Sequence, residues 1–456
     1  MLRGHSAVTE HLIRKYSTAV PRYTSYPTAP HFHEGIDSSV YVSWLDMLGA
    51  DNRISLYVHI PYCDRLCWFC ACHTKHTLKY EPIAAYLKSL HREIESVSQH
   101  VSRSAKVTAV HFGGGSPTMV KPDDLIALMD CLRAAFSFAP DVEISVEMDP
   151  NDLDEGRYDA LAAIGMTRAS LGVQDFDPKV QKTINRIQTF EQTKSVVEAV
   201  RARGVHSVNC DILYGLPFQT LETLKDTVDK IISLSPDRIA LFGYAHVPWM
   251  KKHQTMIPEA ALPDVSERYR QMTMAGQMLM AAGYVAIGID HFARPNDTLA
   301  LAMKDGALKR NFQGYTDDSA DALIGLGASS IGKLPQGYVQ NMPATGEYER
   351  MADSGELCVV RGIALSQEDR VRAFVIERIM CDFALDLTAL AKLFGPAAAL
   401  AIAEAKQFAA GERDGLVAME EGVFRLTEAG KPFARSIAAT FDTYLSSGRG
   451  RHSVAV

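Results

Sequence analysis

Leu56–Cys72, LYVHIPYCDRLCWFCAC, decides the reading of this 456-residue chain. It opens on an apolar, β-branched segment and then sets Cys63, Cys67 and Cys70 in a C-x-x-x-C-x-x-C run, so three thiols fall on a short loop after a predicted strand. A cubane iron–sulfur cluster normally takes four cysteine ligands. A loop that supplies three leaves one iron free to bind something else, and chemistry can start there. Cys72 adds a fourth thiol close by, and four thiolates also make a structural zinc site. Zinc ribbons, however, separate two C-x-x-C knuckles by roughly fifteen to twenty residues. Here the four cysteines lie within ten positions, with Trp68 and Phe69 between them. Spacing leaves Cys72 open as a spare ligand, a structural thiol or a site residue.

Close to half of the chain (47%) is apolar, enough to bury a large core and form more than one domain. No apolar run is read as reaching the roughly twenty residues that span a bilayer, and the start, MLRGHSAVTEHLIRKYS, lacks the apolar core of a secretory signal. The expectation is a cytoplasmic protein with no membrane insertion. Four of the eight cysteines are clustered, and Cys131, Cys210, Cys358 and Cys381 are scattered through apolar contexts; this fits a reducing compartment and buried thiols. A formal charge of −7 gives no general attraction for nucleic acid. An anionic ligand would need locally placed arginines.

Taken in order, residues 1–49 read as an extended arm, dense in tyrosine and proline over Tyr16–His33. From residue 50 to 250, β-branched segments at Ile54–Ile60, Val107–Phe112, Val142–Met148, Arg168–Val173, Ser207–Leu213 and Arg238–Tyr244 alternate with helical stretches. The fold class is therefore α/β, with six parallel strands joined by right-handed crossovers in either a partly closed barrel or a doubly wound sheet. Residues 251–365 add a long helix near Ser266–Ala282 and the glycine-containing DALIGLGASSI (Asp321–Ile331), where backbone can approach a ligand. Residues 366–456 read as a small helical domain with two short strands, winged-helix-like, and its acidic composition weighs against DNA binding.

The polar motifs HFGGGSP (His111–Pro117), EMDP (Glu147–Pro150), QDF (Gln174–Phe176), DILYGLP (Asp211–Pro217) and YAHVP (Tyr244–Pro248) each fall at or near the carboxyl end of a predicted strand, as the cysteine loop does. Barrel active sites are assembled at that rim, which favours a barrel with one shared pocket. Gly113–Gly115 can serve a tight turn or let main chain touch a small zwitterion. Glu147 can accept two hydrogen bonds from a vicinal diol. Gln174, Arg186 and Asp211 form a second polar set, in which a guanidinium can pair with a carboxylate.

The cysteine loop resembles that of the radical S-adenosylmethionine (SAM) enzymes. With YTSYPTAPHF, HFGGGSPT, EISVEMDP, SLGVQDFDPKVQKTINR, DILYGLP, FGYAHVP, GIDHFARP and FDTYL, nearly the whole chain is similar to the oxygen-independent coproporphyrinogen III oxidases of bacterial haem synthesis. The resemblance implies a partial six-stranded barrel and a 4Fe-4S cluster on Cys63, Cys67 and Cys70. It also implies two SAM molecules: one met by Tyr57, Gly114, Glu147 and Ile331, the other by Phe69, Gly115, Ser116, Gln174, Arg186, Asp211 and Ala245. Among these, Tyr57, Glu147 and Arg186 join the three cysteines as the residues expected to carry catalysis. The implied reaction converts two propionates of coproporphyrinogen III to vinyl groups, with electrons from a donor such as flavodoxin or ferredoxin, in a monomer. Arg22, Cys72, Arg294, Lys309 and Arg310 are the candidates for meeting the substrate, and the arm is a candidate lid.

The alternative inside the same barrel is a haem-binding paralogue, a haem chaperone or haem-modifying enzyme. Haem-chaperone relatives typically carry Phe in place of Cys72 and lack the tyrosine-rich arm, so both features favour the oxidase. A non-catalytic zinc or DNA-binding protein is the alternative from another class.

Overall fold

Six β-branched segments form six parallel strands: Arg53–Ile60, Lys106–Gly114, Ser137–Met148, Arg168–Gln174, Ser207–Tyr214 and Arg238–Gly243. The computed structural model describes residues 8–49, 51–151, 153–445 and 452–453. Each of the six strands pairs in parallel with the next in chain order. The crossovers run through helices, including Glu81–Ser98, Pro122–Ala135, Glu155–Ala163, Phe190–Ala202 and Leu221–Leu234. Glu81–Ser98 shows why they pack: Ile83, Tyr86, Leu87, Leu90, Ile94 and Val97 repeat at three- and four-residue intervals and bury one stripe against the sheet.

Alternation along the strands divides the residues between two environments. Leu56, Val58, Phe112, Ile144, Val146, Leu171, Cys210, Ile212 and Leu241 face the helices and join one apolar core. The alternate residues Ser55, His111, Glu143, Ser145, Glu147, Arg168, Asn209, Asp211 and Arg238 line a cavity of about 650 Å³ inside the barrel. At its amino end the cavity is closed by ion pairs, Arg168 to Glu143 at 2.6 Å and Arg238 to Asp297 at 2.7 Å.

The sheet is longer than the six strands expected. Ala322–Leu326, within the stretch read for its glycines, is a seventh parallel strand on the outer edge of Arg53–Ile60. Antiparallel strands extend both sides, giving a twelve-stranded sheet in which the first and sixth barrel strands are not paired, so the barrel is open.

The first 49 residues are not extended throughout. Glu10–Tyr16 and Ser38–Asp46 are helices, the second started by the Asp37 carboxylate capping Ser39 N and Val40 N. Leu12, Ile13, Val20, Tyr23 and Tyr26 enter the apolar core of the carboxy-terminal part, with Phe424, Phe433 and Phe441. Tyr41, Trp44 and Leu45 enter the barrel core instead. Residues 1–7 of the proposed arm lie outside the described residues.

The carboxy-terminal part has the helices Gln367–Asp382, Leu387–Phe394 and Ala399–Gly411 and a three-stranded sheet of Ala384–Asp386, Val423–Leu426 and Val417–Glu420. Contrary to the expectation that no apolar run reaches membrane-spanning length, the helical run Leu387–Gly411 does so by length and composition. It is interrupted at Gly395, which has a positive φ, and Leu387, Leu390, Ala401 and Ala405 from its two halves pack into one core.

Behind the seventh strand, Glu93 is buried and accepts hydrogen bonds from Gly327 N (2.7 Å), Tyr348 OH (2.6 Å) and Asn341 Nδ2 (2.5 Å). Tyr86 OH donates to His59 O (2.8 Å) and accepts from Ala328 N (2.9 Å), fixing the 327–330 turn beside the first strand. Burial pushes the Glu93 carboxyl from 4.5 up to about 7. Because the folded state holds this proton more tightly than the unfolded state, the resulting stabilisation is fully present below pH 4.5 and is lost as the pH rises through 7. The thermal midpoint of Glu93→Gln relative to the native chain should therefore climb across that window, by an amount corresponding to on the order of 3 kcal/mol, and then level off. A difference independent of pH would refute the assignment.

Candidate active site at the carboxyl rim

The first strand ends at Ile60, and the loop that follows is tied down by its carbonyl groups. Asn185 Nδ2 donates to Leu66 O (2.9 Å), Gln254 Nε2 to Phe69 O (2.9 Å), His253 Nε2 to Cys70 O (2.7 Å) and Lys251 Nζ to Cys72 O (2.7 Å). Gly115 N and Ser116 N hold Ile60 O and Tyr62 O at 2.8 and 2.7 Å. Gly115 has to be glycine for this approach, since a Cβ there would lie 2.5 Å from Tyr62 O.

These tethers bring the sulfurs of Cys63, Cys67 and Cys70 near one another. Burial raises the Cys63 and Cys67 thiols; the neighbouring thiolates add to this, while Arg186 opposes it. Cys72 turns toward Cys70: its amide N–H donates to the Cys70 sulfur at 3.3 Å, and the interaction between the two thiols lowers Cys70 and raises Cys72. Three neighbouring thiols on one tethered loop, with Cys72 bonded to one of them and lining the cavity, fit a cubane that keeps one iron open. Among the described residues, no three His, Cys, Asp or Glu side chains form a group that could hold a single metal ion.

Beside the loop, the hydrogen bonds fix which atoms can meet a ligand. His59 Nε2 faces His73 O at 3.0 Å and so carries the ring proton, while burial lowers the ring to about 4 and keeps it neutral. Nδ1 then accepts from Tyr57 OH (3.0 Å), leaving the phenol oxygen only able to accept. Glu147 accepts from His111 Nε2 and Gly114 N, both at 3.1 Å. Burial works to raise its carboxyl, but these bonds and the charge of His111 outweigh it and hold Glu147 below the usual range. Gly114 stands at φ 111°, and a Cβ there would lie 2.5 Å from the His59 ring. On the next strands Gln174, at φ 70° beside a register shift, and Asp211 reach the same cavity; burial pushes Asp211 up to about 6.

Phe69, Cys70, Cys72, Glu147, Gln174, Asp211, Ala245 and Arg22 thus share one cavity. Ile331 lies against Gly325, the register partner of Tyr57, and Ser116 is buried beside Thr118. Arg186 is not on the cavity wall. It is buried behind the loop, paired to Asp149 at 2.8 Å, donating to Gly172 O (2.5 Å) and Gln188 Oε1 (3.1 Å) and reaching the Cys67 sulfur at 3.8 Å.

Two of the proposed substrate residues are misplaced. Strand His291–Ala293 runs antiparallel to the sixth barrel strand and carries the chain to the amino rim, so Arg294 ends stacked on Tyr284 (4.2 Å). Lys309 pairs across a hairpin with Thr316 and neighbours Asp321, which bonds Arg53 N at the start of the first strand. Arg22 and Arg310 do come together, Arg310 Nε donating to Arg22 O at 3.4 Å. Asp290 and His291, joined at 2.7 Å, were overlooked although GIDHFA places two polar residues in an apolar context. Arg268 and Arg435 carried no sequence signal.

Residues 57–231 match the radical SAM superfamily and residues 365–433 the HemN C-terminal domain. The chain is similar to the oxygen-independent coproporphyrinogen III oxidase of Paracoccus denitrificans (47% identity, 97% of each chain covered). It is also similar to that of Bradyrhizobium diazoefficiens (46%, covering 96% of this chain and 97% of the relative). A solved structure, coproporphyrinogen III oxidase (HemN) from Escherichia coli, described as a radical SAM enzyme, superposes with a TM-score of 0.88 at 36% identity, covering 94% of this chain and all of the other.

Serine in place of Cys63, Cys67 or Cys70 is expected to abolish uptake of iron and labile sulfide on anaerobic reconstitution, while Cys72→Ser retains both. Normal iron content and visible absorbance in any of the first three would overturn the ligand assignment.

Proposed function

We propose the course of the reaction from the premise that this chain belongs to the oxygen-independent coproporphyrinogen III oxidase family of radical SAM enzymes. The enzyme oxidatively decarboxylates two propionate side chains of coproporphyrinogen III to vinyl groups, giving protoporphyrinogen IX in haem biosynthesis. A 4Fe-4S cluster and SAM, when bound, supply the adenosyl radical that takes a hydrogen atom from the propionate β-carbon; the protein binds and shields. Loss of CO2 and of one further electron from the substrate then leaves the vinyl group.

The chain's own residues divide the remaining work. Cys63, Cys67 and Cys70 would hold the cluster, three ligands that would leave one iron for the first SAM. Tyr57 presents an oxygen that can only accept, which suits an ammonium group, with Ile331 close by. Glu147 stays ionised and keeps lone pairs for ribose hydroxyls, and Gly114 fixes its orientation. A second SAM would lie across Phe69, Gly115, Ser116, Gln174, Asp211 and Ala245. For Arg186 to reach its carboxylate, the guanidinium would have to give up part of its hold on Asp149 or Cys67. Asp211, at about 6, can accept from an amine above that pH.

One observation carries this reading: Phe69–Cys72 of the cysteine loop, Glu147, Gln174, Asp211 and Arg22 of the amino-terminal segment all border a single cavity of about 650 Å³, within the range of small-molecule sites. Val20 and Pro21 line one side of it, consistent with a partial cover that limits access of water and stray hydrogen donors to a radical. A flavodoxin- or ferredoxin-type donor, a monomeric state and a cytoplasmic location complete the proposal. The names of the relatives and Cys72 weigh against the haem-carrying alternative.

Reconstituted protein given coproporphyrinogen III, SAM and reductant without oxygen should form protoporphyrinogen and 5′-deoxyadenosine together; deoxyadenosine without vinyl product would defeat the assignment. Equilibrium dialysis should count two SAM per chain, falling to one in Gln174→Ala or Asp211→Ala with iron content unchanged. A single SAM in the native chain would remove the second site.

A further inference from the structure

We infer that Arg22, on the cavity wall, with Arg268 and Arg310 behind it and Arg435 positioning its segment, forms a carboxylate-recognition subsite for the propionates of the tetrapyrrole. The inference rests on the reading of the cavity above and deepens it, since only Arg22 and Arg310 of this group were expected from the sequence.

Arg22 comes from the amino-terminal segment and lines the cavity, open to its solvent yet crowded on its other sides by protein, and donates to Gly243 O (3.0 Å) at the end of the sixth barrel strand. Arg310 lies behind it on the hairpin Lys309–Thr316. Its guanidinium covers the Tyr315 ring at 4.4 Å, and its Nη2 is 3.5 Å from Asp290. Arg310 is buried, and its Nη1 has no hydrogen-bond partner among the described residues. Arg268, from helix Val265–Ala281, donates to Tyr244 O at 3.0 Å. Arg435, from the carboxy-terminal part, donates to Val20 O (2.7 Å) and Pro21 O (3.3 Å).

Proximity makes these cations compete. After burial, the charge of Arg310 lowers Arg22, that of Arg22 lowers Arg268, and Arg22 and Arg310 both lower Arg435. Arg310, His291 and Arg22 act on the carboxylate of Asp290, which in turn acts on Arg435. Arg22, Arg268 and Arg435 also donate to the backbone carbonyls of Gly243, Tyr244, Val20 and Pro21. In a chain of net charge −7, such a concentration of positive charge at one cavity is repulsive when unliganded and is relieved by an anion. Coproporphyrinogen III brings four carboxylates into that cavity. Arg22 is the group placed to touch one, Arg310 and Arg268 flank it, and Arg435 is a positioning residue that holds Val20 and Pro21.

The test is a fluorescence titration of anaerobic holoenzyme with coproporphyrin III, the non-reacting tetracarboxylate. Mesoporphyrin IX, with two carboxylates, serves as the comparison, and SAM affinity is measured in parallel. Arg22→Met should weaken coproporphyrin III binding at least tenfold, Arg22→Lys should weaken it less, and the affinity of the native enzyme should fall with added salt. SAM affinity and iron content should stay unchanged, and in turnover KM should rise by a larger factor than kcat falls. Arg268→Met should behave in the same direction. Unchanged coproporphyrin affinity in Arg22→Met, or an equal loss of SAM affinity, overturns the subsite. Arg310→Met can fail to fold because it strands Asp290; Arg22→Met, at an exposed position, still decides. Should the native enzyme bind coproporphyrin III through Arg22 yet yield no vinyl product, the reaction assignment falls and the subsite stands.

Discussion

Every second residue of the barrel strands turns inward, and here most of those residues are charged or hydrogen-bonding. A closed eight-stranded barrel fills its interior with branched apolar side chains. This open barrel cannot do so and still hold a polar ligand, so its interior polar groups need partners. At the amino end they pair with one another, Arg168 with Glu143 and Arg238 with Asp297. Towards the carboxyl end the pairing is left incomplete: Glu147 and Asp211 have few protein donors and face the cavity. The same period-two pattern thus makes a plug at one end and a site at the other.

The cysteine loop is built on a related principle. A loop of bulky and charged residues has no ladder to hold it, yet its thiols must stay together. Side chains from other parts of the chain, Asn185, Lys251, His253 and Gln254, donate to its carbonyls and position it from outside. Gly114 and Gly115 let the second strand come close enough to bond to the loop directly. Arg186 and Asp149 form a buried pair just behind, so the positive charge beside Cys67 is itself held in place.

Five of the six barrel strands were legible to within one or two residues, because β-branched runs bounded by helical periodicity leave little freedom; the third begins at Ser137, five residues before the apolar run that marked it. The thiols and the rim motifs were legible from spacing and from their position after each run. Other features were not. Ser38–Asp46 carries a buried stripe of Tyr41, Trp44 and Leu45 that was masked by the proline- and tyrosine-rich stretch before it. Ala322–Leu326 was read as a place where backbone can approach a ligand, because its glycine drew attention from the apolar neighbours that make it a strand. Arg294 reaches the amino rim because strand direction decides which rim a residue reaches, and His291–Ala293 runs against the barrel; Lys309 sits on a separate hairpin. Arg268 and Arg435 are ordinary helix arginines in one dimension and meet only through tertiary packing.

The amino-terminal segment that lines one side of the cavity does not lie loosely on it. Leu12, Ile13, Val20, Tyr23 and Tyr26 belong to the same apolar core as Phe424, Phe433 and Phe441. At about 1.5 to 3 kcal/mol for each large apolar side chain, peeling that segment away alone would cost on the order of 10 kcal/mol. It cannot flap on its own during turnover. Any displacement of this segment during admission of a tetrapyrrole is thereby coupled to the carboxy-terminal part whose core it shares.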